Sequence, residues 1–483
     1  MTKMEKAYLA VETLAATYFE DPAITVNLLP QSGSDRLYYR IGSKGKTCIA
    51  TFNLNVAENK TFLYFTRHFE NKGLRVPAIL ASDEAGTTYL QNDLGDFSLL
   101  QSLEKEGHND LVYAQFAESL CELAKLQVLG DDQMDYSQCL TTKEFGKQAI
   151  MSDLLYFKYY FLDTLQQPYD KQALINDFEA LANYLAHTEY KFFMFRDFQS
   201  RNIMLKDGRP YFIDYQGGMK GAPQYDVASM LWQARANLSD DWKKKLLNGY
   251  MNSLDEYLPK PMNREVFTNQ YYGYVLIRLL QVLGAYGFRG LFERKAHFLA
   301  SIPLALRNLK WFVENRPLGI HVPEFSRVLE IAIDQSTIEK FEPMQSNEEH
   351  PFSIHINSFS YIKNGYPADD SEHGGGFVFD CRGILNPGRI EEYKTQSGLD
   401  KDVKDYLEQN TRMPAFLHSV FDLIDINVED YLKRGFSRLM INFGCTGGQH
   451  RSVYAAEQTA RHLRNKYKVK TVVNHINQEN WKK

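Results

Sequence analysis

The segment 192–215 constrains the fold most, because a tight turn within it joins two apolar stretches that carry polar side chains at their ends. The Asp-Gly pair at 207–208 is a strong β-hairpin turn signal. A two-residue loop there places Asn202 opposite Ile213, and a three-residue loop places it opposite Asp214. The hairpin alone therefore predicts that an amide and a carboxylate lie close together.

These side chains and the loop before them predict the chemistry of phosphoryl transfer. The oxygens of Asn202 and Asp214 suit Mg²⁺, which completes its octahedron with water and nucleotide phosphates. Asp197 lies on the preceding loop, where a carboxylate can accept the proton of an attacking hydroxyl. Asp and Asn at this spacing also occur by chance, and an Asp-Gly hairpin is ordinary structure. The carboxylate that ends an apolar strand at the predicted partner position favours the catalytic interpretation.

The first two thirds of the chain have an element order typical of two lobes. Alternating and helical apolar patterns predict strands at 37–41, 47–52 and 87–91, and helices at 57–72, over 98–190 and from 224 to about 334. A short β-rich core at 192–215 separates the two long helical stretches. This order predicts an α+β domain with two lobes and a cleft between them, and clefts are favoured ligand sites.

The last third predicts a second domain. Residues 335–350 are polar and lack periodicity, which indicates a linker between domains at 1–334 and 351–483. Beyond the linker, the pattern predicts strands at 352–361, 377–382, 438–445 and 469–476, and helices near 400–434 and 450–466. Strands that alternate with helices in this way predict an α/β fold with a parallel component. The segment is long enough to bury its own core.

Charge and cysteine content limit the surroundings of the protein. The net charge of −5 over 483 residues disfavours a bulk nucleic-acid binder. Five widely spread cysteines without a Cys-x-x-Cys pair disfavour a disulfide framework or structural zinc, and favour a reducing compartment. The N-terminus is typical of an amphipathic helix and not of a signal peptide, and no stretch approaches 18 uninterrupted apolar residues. We expect a cytoplasmic protein that spans no membrane.

The segment 192–226 resembles the catalytic and metal-binding loops of the aminoglycoside phosphotransferase/choline kinase superfamily. Members of that superfamily share the protein-kinase-like fold. By this resemblance Asp197 is the catalytic base, and Asn202 and Asp214 hold Mg²⁺. Asp226 is then the residue that supports the catalytic loop.

The resemblance extends over roughly residues 1–330 and implies ATP as the phosphate donor. SGSDRLYYRI at 32–41 resembles the nucleotide-covering loop, and YLQNDLGD at 89–96 resembles the hinge strand between the lobes. The nucleotide-binding residues implied by these two segments are Ser34, Arg36, Gln91, Asn92 and Asp93.

Within the superfamily, these motifs are most similar to bacterial anomeric kinases for N-acetylmuramate and N-acetylglucosamine. That similarity implies an amino sugar as the acceptor and its C1 hydroxyl as the group phosphorylated. Two positions depart from the kinase pattern. Phe195 replaces a histidine before the catalytic Asp, and the third strand, 48–55, lacks the lysine that grips the α- and β-phosphates. Arg36 or Arg40 is the alternative source of that charge.

A second loop, in the C-terminal domain, predicts an anion site. The glycines at 444, 447 and 448 allow close backbone approach between a strand and a helix. The free N–H groups at the start of that helix favour an anion, and Arg451 adds a planar partner for phosphate. Cys445 and Arg451 also have the C-x5-R spacing of protein tyrosine phosphatases, for which Asp422 or Asp425 would have to act as the general acid. Both interpretations stay open at this point.

The stretch 352–476 resembles the C-terminal domain of the RapZ family, with GCTGGQHRSVYAAEQ at 444–458 as the most specific segment. Family members bind glucosamine 6-phosphate and interact with RNA. The resemblance implies a phosphorylated amino sugar at Cys445, Thr446, Gly447, Gly448, His450, Arg451 and Ser452. Gly388 stands where family members tend to carry a histidine.

The sequence thus predicts a Mg²⁺- and ATP-dependent amino-sugar kinase with a C-terminal phosphosugar-binding domain. The basic run at 461–470 indicates a solvated helix face more than an RNA contact, although RNA stays a possible partner. Two alternatives are a regulatory sugar-phosphate sensor or RNA-linked adaptor with a degenerate kinase lobe, and a phosphatase at Cys445.

Overall fold

The structure is a computed structural model, and it describes residues 3–30, 36–293, 295–316, 319–342, 352–369 and 376–481. The chain forms two compact units, Met1–Gly284 with Leu304–Ile333, and Ala285–Pro303 with Asp334–Lys483. The segment Ala285–Pro303, which the sequence places inside the first domain, belongs to the second unit. The domain limits drawn from the sequence therefore stay a prediction.

The first unit begins with a five-stranded antiparallel sheet in the order β1-β2-β3-β5-β4. Its elements are α1 Lys3–Phe19, β1 Thr25–Leu28, β2 Leu37–Ser43, β3 Lys46–Phe52, α2 Val56–Asn71, β4 Ile79–Ser82 and β5 Thr88–Asn92. The three strands and the helix predicted in this region are confirmed. The sequence pattern misses β1 and β4, because four-residue strands are too short to show a clear alternation.

The two faces of this sheet differ because side chains alternate along each strand. One face packs against α1 in a single apolar core, formed by Ala7, Val11, Ala15, Leu37, Tyr39, Ile41, Cys48, Ala50, Phe52 and Leu90. Tyr38 and Arg40 of β2 and Thr51 of β3 alternate with these residues, so they lie on the opposite face. That opposite face carries the polar side chains of the small lobe.

The rest of the first unit is mostly helical. Its helices are α3 Leu99–Glu106, α4 Asp110–Asp131, α5 Lys147–Tyr160, α6 Lys171–Ala186, α7 Gln224–Leu231, α8 Asp240–Asp255, α9 Arg264–Tyr286, α11 Ile302–Asn315 and α12 Pro323–Ile333. Its strands are β6 Phe192–Met194, β7 Ile203–Lys206, β8 Arg209–Phe212 and β9 Met219–Gly221. The helix between α9 and α11, α10 Ala296–Leu299, belongs to the second unit. Side-chain caps begin four of the helices, from Ser98, Asn109, Asp170 and Ser239. The strands form two small antiparallel pairs, β6 with β9 and β7 with β8.

Helix α9 lies in the core of the first unit. In the described part of the chain, one helical run, Arg264–Phe292, is long and apolar enough to cross a membrane by length and composition alone. The middle of α9 is buried, and Arg278 within it pairs with Asp197. These are the properties of a core helix, so the run is weak evidence for a membrane span.

The second unit is built on a parallel sheet in the order β11-β12-β10-β13. Its elements after α10 are α13 Gln335–Phe341, β10 Ser353–Ser360, β11 Gly376–Asp380, α14 Lys401–Gln409, α15 Met413–Arg434, β12 Arg438–Cys445, α16 Arg451–Tyr467 and β13 Lys470–His475. The predicted strands and the α/β fold are confirmed. Because all four strands are parallel, their carboxyl ends meet at one edge, and the glycine-rich loop follows β12 there.

Helix α13 corrects part of the predicted linker. Residues Gln335–Phe341 are helical, with Asp334 capping the N–H of Ser336 at 2.9 Å and Ile338 buried. Two turns with one buried apolar residue are too short to show helical periodicity in the sequence. The remainder of the predicted linker, 343–350, lies outside the described residues.

Candidate functional sites

The hairpin of β7 and β8 brings Asn202 and Asp214 together as the turn signal predicts. Ile203 pairs with Phe212, so the loop has two residues, and the N–H of Ile213 donates to the Asn202 carbonyl at 3.0 Å. The Asn202 Nδ2 lies 3.4 Å from Asp214 Oδ2 and 3.0 Å from the main-chain oxygen of Asp197. Three of the residues singled out from the sequence therefore share one position in the first unit.

The carboxylate of Asp197 is held by residues from two elements. Arg278 of α9 and Gln199 both donate to its Oδ1 at 2.8 Å, and Arg201 lies 3.5 Å from Oδ2. Burial alone would raise the pKa of Asp197, but the Arg278 and Arg201 charges outweigh it and keep the pKa below its usual value. The Asp197 side chain is 36% exposed, so a second molecule can reach it.

Sequence reasoning misses Arg278, which is 81 residues from Asp197 and 8% exposed. The one sign of Arg278 in the sequence is that a cation stands in the middle of an apolar stretch of helix, between Ile277 and Leu279. Such a cation needs a buried partner. The sequence gives no means of choosing that partner among distant acids.

Asp226 fixes the loop that carries Asp197. Its carboxylate accepts the main-chain N–H of Phe195 at 2.7 Å and that of Arg196 at 3.0 Å, and Gln127 donates to it at 3.0 Å. Complete burial raises the pKa of Asp226 to about 7, against the effect of these donors. Arg196 has φ +78°, a left-handed conformation that a non-glycine residue adopts only where its surroundings enforce it.

The substitution of histidine by Phe195 changes the packing around this loop. Phe195 is fully buried and makes edge-to-face contacts with the rings of Phe198, Phe212 and Tyr215. Such contacts stabilise a position by packing where a histidine would use hydrogen bonds. The loop is therefore held by an apolar cluster and by Asp226.

Asp214 also has a left-handed backbone, with φ +69°. Its Oδ1 accepts Gln216 Nε2 at 2.8 Å and lies 3.4 Å from Arg36 NH1. Both hydrogen bonds of the Asn202 side chain within the described residues use its amide nitrogen, so its carbonyl oxygen and Asp214 Oδ2 are the oxygens suited to a cation.

The predicted nucleotide-binding residues differ in their burial and in their hydrogen-bond partners. Ser34 lies outside the described residues, while Arg36 is buried beside Asp214. Asn92 uses its N–H and its side-chain oxygen to bond with Ala78, and the Asp93 carbonyl accepts Lys206 Nζ at 2.8 Å.

Gln91 is the hinge residue with an unused polar atom. Its Oε1 is buried and has no hydrogen-bond partner among the described residues. Gln91 pairs with Ile49 of β3, so its side chain lies on the polar face of the sheet. A buried acceptor without a partner is costly, and it indicates a position where a ligand donates.

Three carbonyl groups of the glycine-rich loop in the second unit accept hydrogen bonds from side chains. Ser360 Oγ donates to the carbonyl of Thr446, Asn477 Nδ2 to that of Gly447, and Trp481 Nε1 to that of Gly448, at 2.7 to 2.8 Å. The first N–H groups of α16 have no acceptor within the helix. These amides, with the positive end of the helix dipole, are suited to an anion.

Arg451 combines a structural contact with unused donors. Its NH1 donates to the carbonyls of Arg382 at 3.0 Å and Ile384 at 2.8 Å, which ties α16 to the loop after β11. Its Nε is buried and has no partner within the described part of the chain, and NH2 lies 3.5 Å from Thr446 Oγ1. The side of the guanidinium formed by Nε and NH2 is thus the side that can meet a phosphate.

Cys445 is part of the loop and not exposed above it. Its Sγ accepts the N–H of Gly448 at 3.2 Å and lies 3.1 Å from Ser452 Oγ, and the residue is 2% exposed. None of the five cysteines forms a disulfide bond. The thiol therefore acts as a hydrogen-bond acceptor that shapes the turn.

His450 lies beside Gly388, the position where members of the RapZ family tend to carry a histidine. A side chain at 388 would place its Cβ 3.0 Å from the His450 ring, so the imidazole uses the space that a larger residue would need. His450 Nε2 bonds to the Tyr393 carbonyl at 2.8 Å, and burial lowers the pKa of His450.

The basic run 461–470 is partly neutralised within the unit. Lys466 Nζ bonds to Asp425 at 2.8 Å and lies 3.3 Å from Glu429, and Arg464 donates to the Ala460 carbonyl. Fewer free cations favour the solvated helix face over an RNA contact.

Two family profiles match the chain. Residues 25–259 match the phosphotransferase enzyme family, and residues 352–479 match the RapZ C-terminal domain. The resemblances to the aminoglycoside phosphotransferase/choline kinase superfamily and to the RapZ C-terminal domain are confirmed, and the similarity to anomeric kinases stays a prediction. The first match agrees with the α+β, kinase-like fold of the first unit, and the second with the α/β fold of the second unit.

Curated relatives are nucleotide-binding proteins of bacteria. That of Geobacillus kaustophilus (strain HTA426) is 40% identical over 134 residues, which is 28% of this chain and 42% of the relative. That of Fervidobacterium nodosum is 31% identical over 188 residues, which is 37% of this chain and 64% of the relative. The chain thus spans less than two thirds of the length of these relatives.

The solved structures that the chain matches include, by name, a kinase family protein and a phosphotransferase. A choline/ethanolamine kinase family protein from Mesorhizobium loti is 15% identical with a TM-score of 0.46, and covers 69% of this chain and 99% of its own. The aminoglycoside phosphotransferase APH(4)-Ia is 16% identical with a TM-score of 0.42, and covers 64% of this chain and 100% of its own. Likeness at this level says nothing about activity.

The substitution Gly448→Ala tests the geometry of the glycine-rich loop. Gly448 has φ +63°, and an added Cβ would lie 3.0 Å from the Ser360 nitrogen and the Asn477 Cβ. We expect a loss of about 1–3 kcal/mol in the free energy of unfolding, measured by denaturant titration. Gly447→Ala is the matched control, because its Cβ would meet nothing within 4 Å, and we expect less than about 0.5 kcal/mol. Equal effects of the two substitutions would contradict the described loop.

Proposed function

Because the chain joins a phosphotransferase-family domain to a RapZ C-terminal domain, we propose that it is an ATP- and Mg²⁺-dependent kinase of an amino sugar. In the same proposal the second unit binds a phosphorylated amino sugar. The contact of Asn202 with Asp214, beside the carboxylate of Asp197, carries the kinase assignment.

The oxygens near Asn202 and Asp214 fit a magnesium ion. They offer one amide oxygen and one carboxylate oxygen, so the ion would take its remaining ligands from water and nucleotide phosphates. When bound, Mg²⁺ supplies neutralisation of phosphate charge. On the protein side, Gln216 keeps Asp214 oriented through Oδ1.

Gln91 supports an adenine nucleotide. Its buried, unpartnered Oε1 is an acceptor, and the exocyclic amino group of adenine is a donor. The nucleotide contact is therefore assigned to the Gln91 side chain in addition to the nearby backbone of Asn92 and Asp93.

Asp197 is assigned as the base. Because Arg278 and Gln199 occupy Oδ1, Oδ2 is the oxygen oriented to accept the proton of the acceptor hydroxyl. A carboxylate with a depressed pKa is a weak base, but phosphoryl transfer requires little proton abstraction before the transition state. Asp197 therefore orients the hydroxyl first and takes its proton late.

The acceptor is assigned by resemblance to the anomeric kinases, as an amino sugar phosphorylated at its C1 hydroxyl. In the second unit, the amides at the start of α16 and the Nε and NH2 groups of Arg451 support a phosphate.

The presence of five free cysteines supports a reducing compartment such as the cytoplasm.

The phosphatase alternative loses support at three points. Arg451 commits NH1 to two main-chain carbonyls, and Cys445 is buried as a hydrogen-bond acceptor. Asp425 bonds to His462 and Lys466, and His462 lies about 16 Å along α16 from Arg451 at 1.5 Å per residue. An acid so placed does not serve a substrate at Cys445.

Replacement Asp197→Asn tests the kinase assignment. We expect the rate of phosphate transfer to fall by at least about 100-fold, because the amide cannot accept the hydroxyl proton. ATP affinity, measured by calorimetry, should change by less than about threefold. Phosphorus NMR on a panel of hexosamines reports both the acceptor and the position phosphorylated.

Asp207→Asn is the matched control, since it makes the same chemical change at an exposed turn residue. Full turnover by the Asp197→Asn variant would refute the assignment of the base. A wild-type protein that transfers phosphate to no hexosamine, yet binds glucosamine 6-phosphate, would favour the regulatory sensor.

Replacement Arg278→Gln tests how Asp197 is held. Arg278 lowers the pKa of Asp197, so activity should persist in acid until the pH falls through that depressed pKa. Without Arg278 the pKa rises, and the acid limb of the pH–rate profile should move to higher pH. Arg201→Gln, which removes a 57% exposed cation at 3.5 Å, should move it less. An unmoved profile in a folded Arg278→Gln variant would contradict the pairing.

Replacement Gly447→Asp tests the anion site of the second unit. The position accepts a side chain without a clash, and the new carboxylate would lie at the loop. We expect the affinity for glucosamine 6-phosphate to fall at least about tenfold by like-charge repulsion, measured by calorimetry. Gly447→Asn has the same shape without the charge and should retain most of the affinity. Equal affinities of the two variants would remove the ligand from this loop.

A further inference from the structure

Arg36 is a buried cation between two carboxylates of the small lobe and the hairpin. It is 7% exposed, and its NH2 pairs with Glu58 of α2. Its NH1 lies 3.4 Å from Asp214 Oδ1 and donates to Tyr38 Oη at 3.2 Å. One guanidinium therefore links the helix of the small lobe to the carboxylate assigned to the metal.

Strand β3 has no lysine or arginine at the position that the Arg36 guanidinium takes between Glu58 and Asp214. Its single lysine, Lys46, is the first residue of the strand and is exposed. Thr47, Ile49 and Thr51 are the β3 residues that face away from the α1 core, and Thr51 pairs with Tyr38 of β2. Kinases of this fold use a lysine on β3 to grip nucleotide phosphates and to pair with a helix glutamate. Here the partner glutamate is present but the lysine is not.

Glu58 is held in position before any ligand arrives. Asn53, directly after β3, donates to Glu58 Oε2 at 2.8 Å. Asn55 caps α2 by accepting the Glu58 N–H at 3.2 Å. The junction of β3 and α2 thus orients the carboxylate that orients Arg36.

Arg40, the other candidate, is engaged elsewhere. Its guanidinium donates four hydrogen bonds of 2.7 to 3.1 Å to the carboxylates of Asp93 and Asp96. Two carboxylates neutralise it at the hinge. Arg36 is the arginine that reaches Asp214.

We propose that Arg36, from the segment before β2, replaces the missing β3 lysine as the cation that grips the nucleotide phosphates. The inference rests on the proposed kinase function and deepens it by naming the group that receives the phosphates. A guanidinium presents a planar fork, so Arg36 can keep Glu58 on one side while its other edge turns from Asp214 to a phosphate oxygen. Arg36 also shields the charge of Asp214 while the site is empty of nucleotide.

The near-isosteric replacement Arg36→Met tests this role by binding. We expect the affinity for ATP and ADP to fall about 10- to 100-fold, because a charge-assisted contact to phosphate is lost. Adenosine, which has no phosphates, should bind with unchanged affinity in a fluorescence competition assay. Arg36→Lys, which keeps the charge, should retain part of the ATP affinity and guards against a folding defect.

Binding of Mn²⁺ in the absence of nucleotide, followed by electron paramagnetic resonance, gives a second readout. Loss of the neighbouring positive charge should strengthen Mn²⁺ binding at Asp214 in Arg36→Met. A purely structural role for Arg36 would instead weaken Mn²⁺, adenosine and ATP together. The opposite signs for Mn²⁺ and ATP are therefore specific to the proposed role.

Arg40→Met is the matched control, since it removes an arginine from the same face of β2 without touching Asp214. Equal losses of ATP affinity in the Arg36→Met and Arg40→Met variants would overturn the proposal, as would an unchanged ATP affinity in Arg36→Met. If the wild-type protein binds ATP no better than adenosine, the failure lies in the proposed kinase function itself.

Discussion

The buried carboxylate of Asp226 fixes the loop that carries Asp197, the candidate catalytic residue. It satisfies two main-chain N–H groups of the loop at Phe195 and Arg196, where the backbone takes a left-handed conformation. Without those bonds, two buried donors would lose their acceptor, at a cost comparable to several ordinary contacts. Because the loop is fixed there, Asp197 and Asn202 emerge in a defined place, and the hairpin then brings Asp214 to them.

Arginines from distant parts of the chain balance the two acids of this site. Arg278 reaches Asp197 across 81 residues, and Arg36 reaches Asp214 across 178 residues. The pairing with Arg278 stabilises the ionised form of Asp197, which is the form that a base must take. The two arginines come from a core helix and from the edge of the small-lobe sheet. Both lobes of the first unit must therefore be folded before the site has its charge balance.

In the second unit, the carbonyl groups of the glycine-rich loop accept hydrogen bonds from Ser360, Asn477 and Trp481. The amides at the start of α16 are therefore suited to the anion that we propose for this loop. Arg451 supports the same loop through carbonyls while keeping one edge of its guanidinium unpaired. The C-x5-R spacing resembles that of a phosphatase, yet NH1 of the arginine donates to main-chain carbonyls here. The spacing of residues does not by itself define what a side chain contacts.

Features that depend on residues close together in the chain could be predicted from the sequence. The Asp-Gly turn limited the hairpin to two registers, each of which brings Asn202 close to Asp214, and apolar alternation located most strands of both units, because these signals act over a few residues. The short strands β1 and β4 and the helix α13 escaped, since so few residues show no period. The pairing of each arginine with its carboxylate could not be predicted, because it depends on how distant elements pack together. Arg36 and Arg40 are equivalent in the sequence, and their different partners follow from packing between elements far apart in the chain.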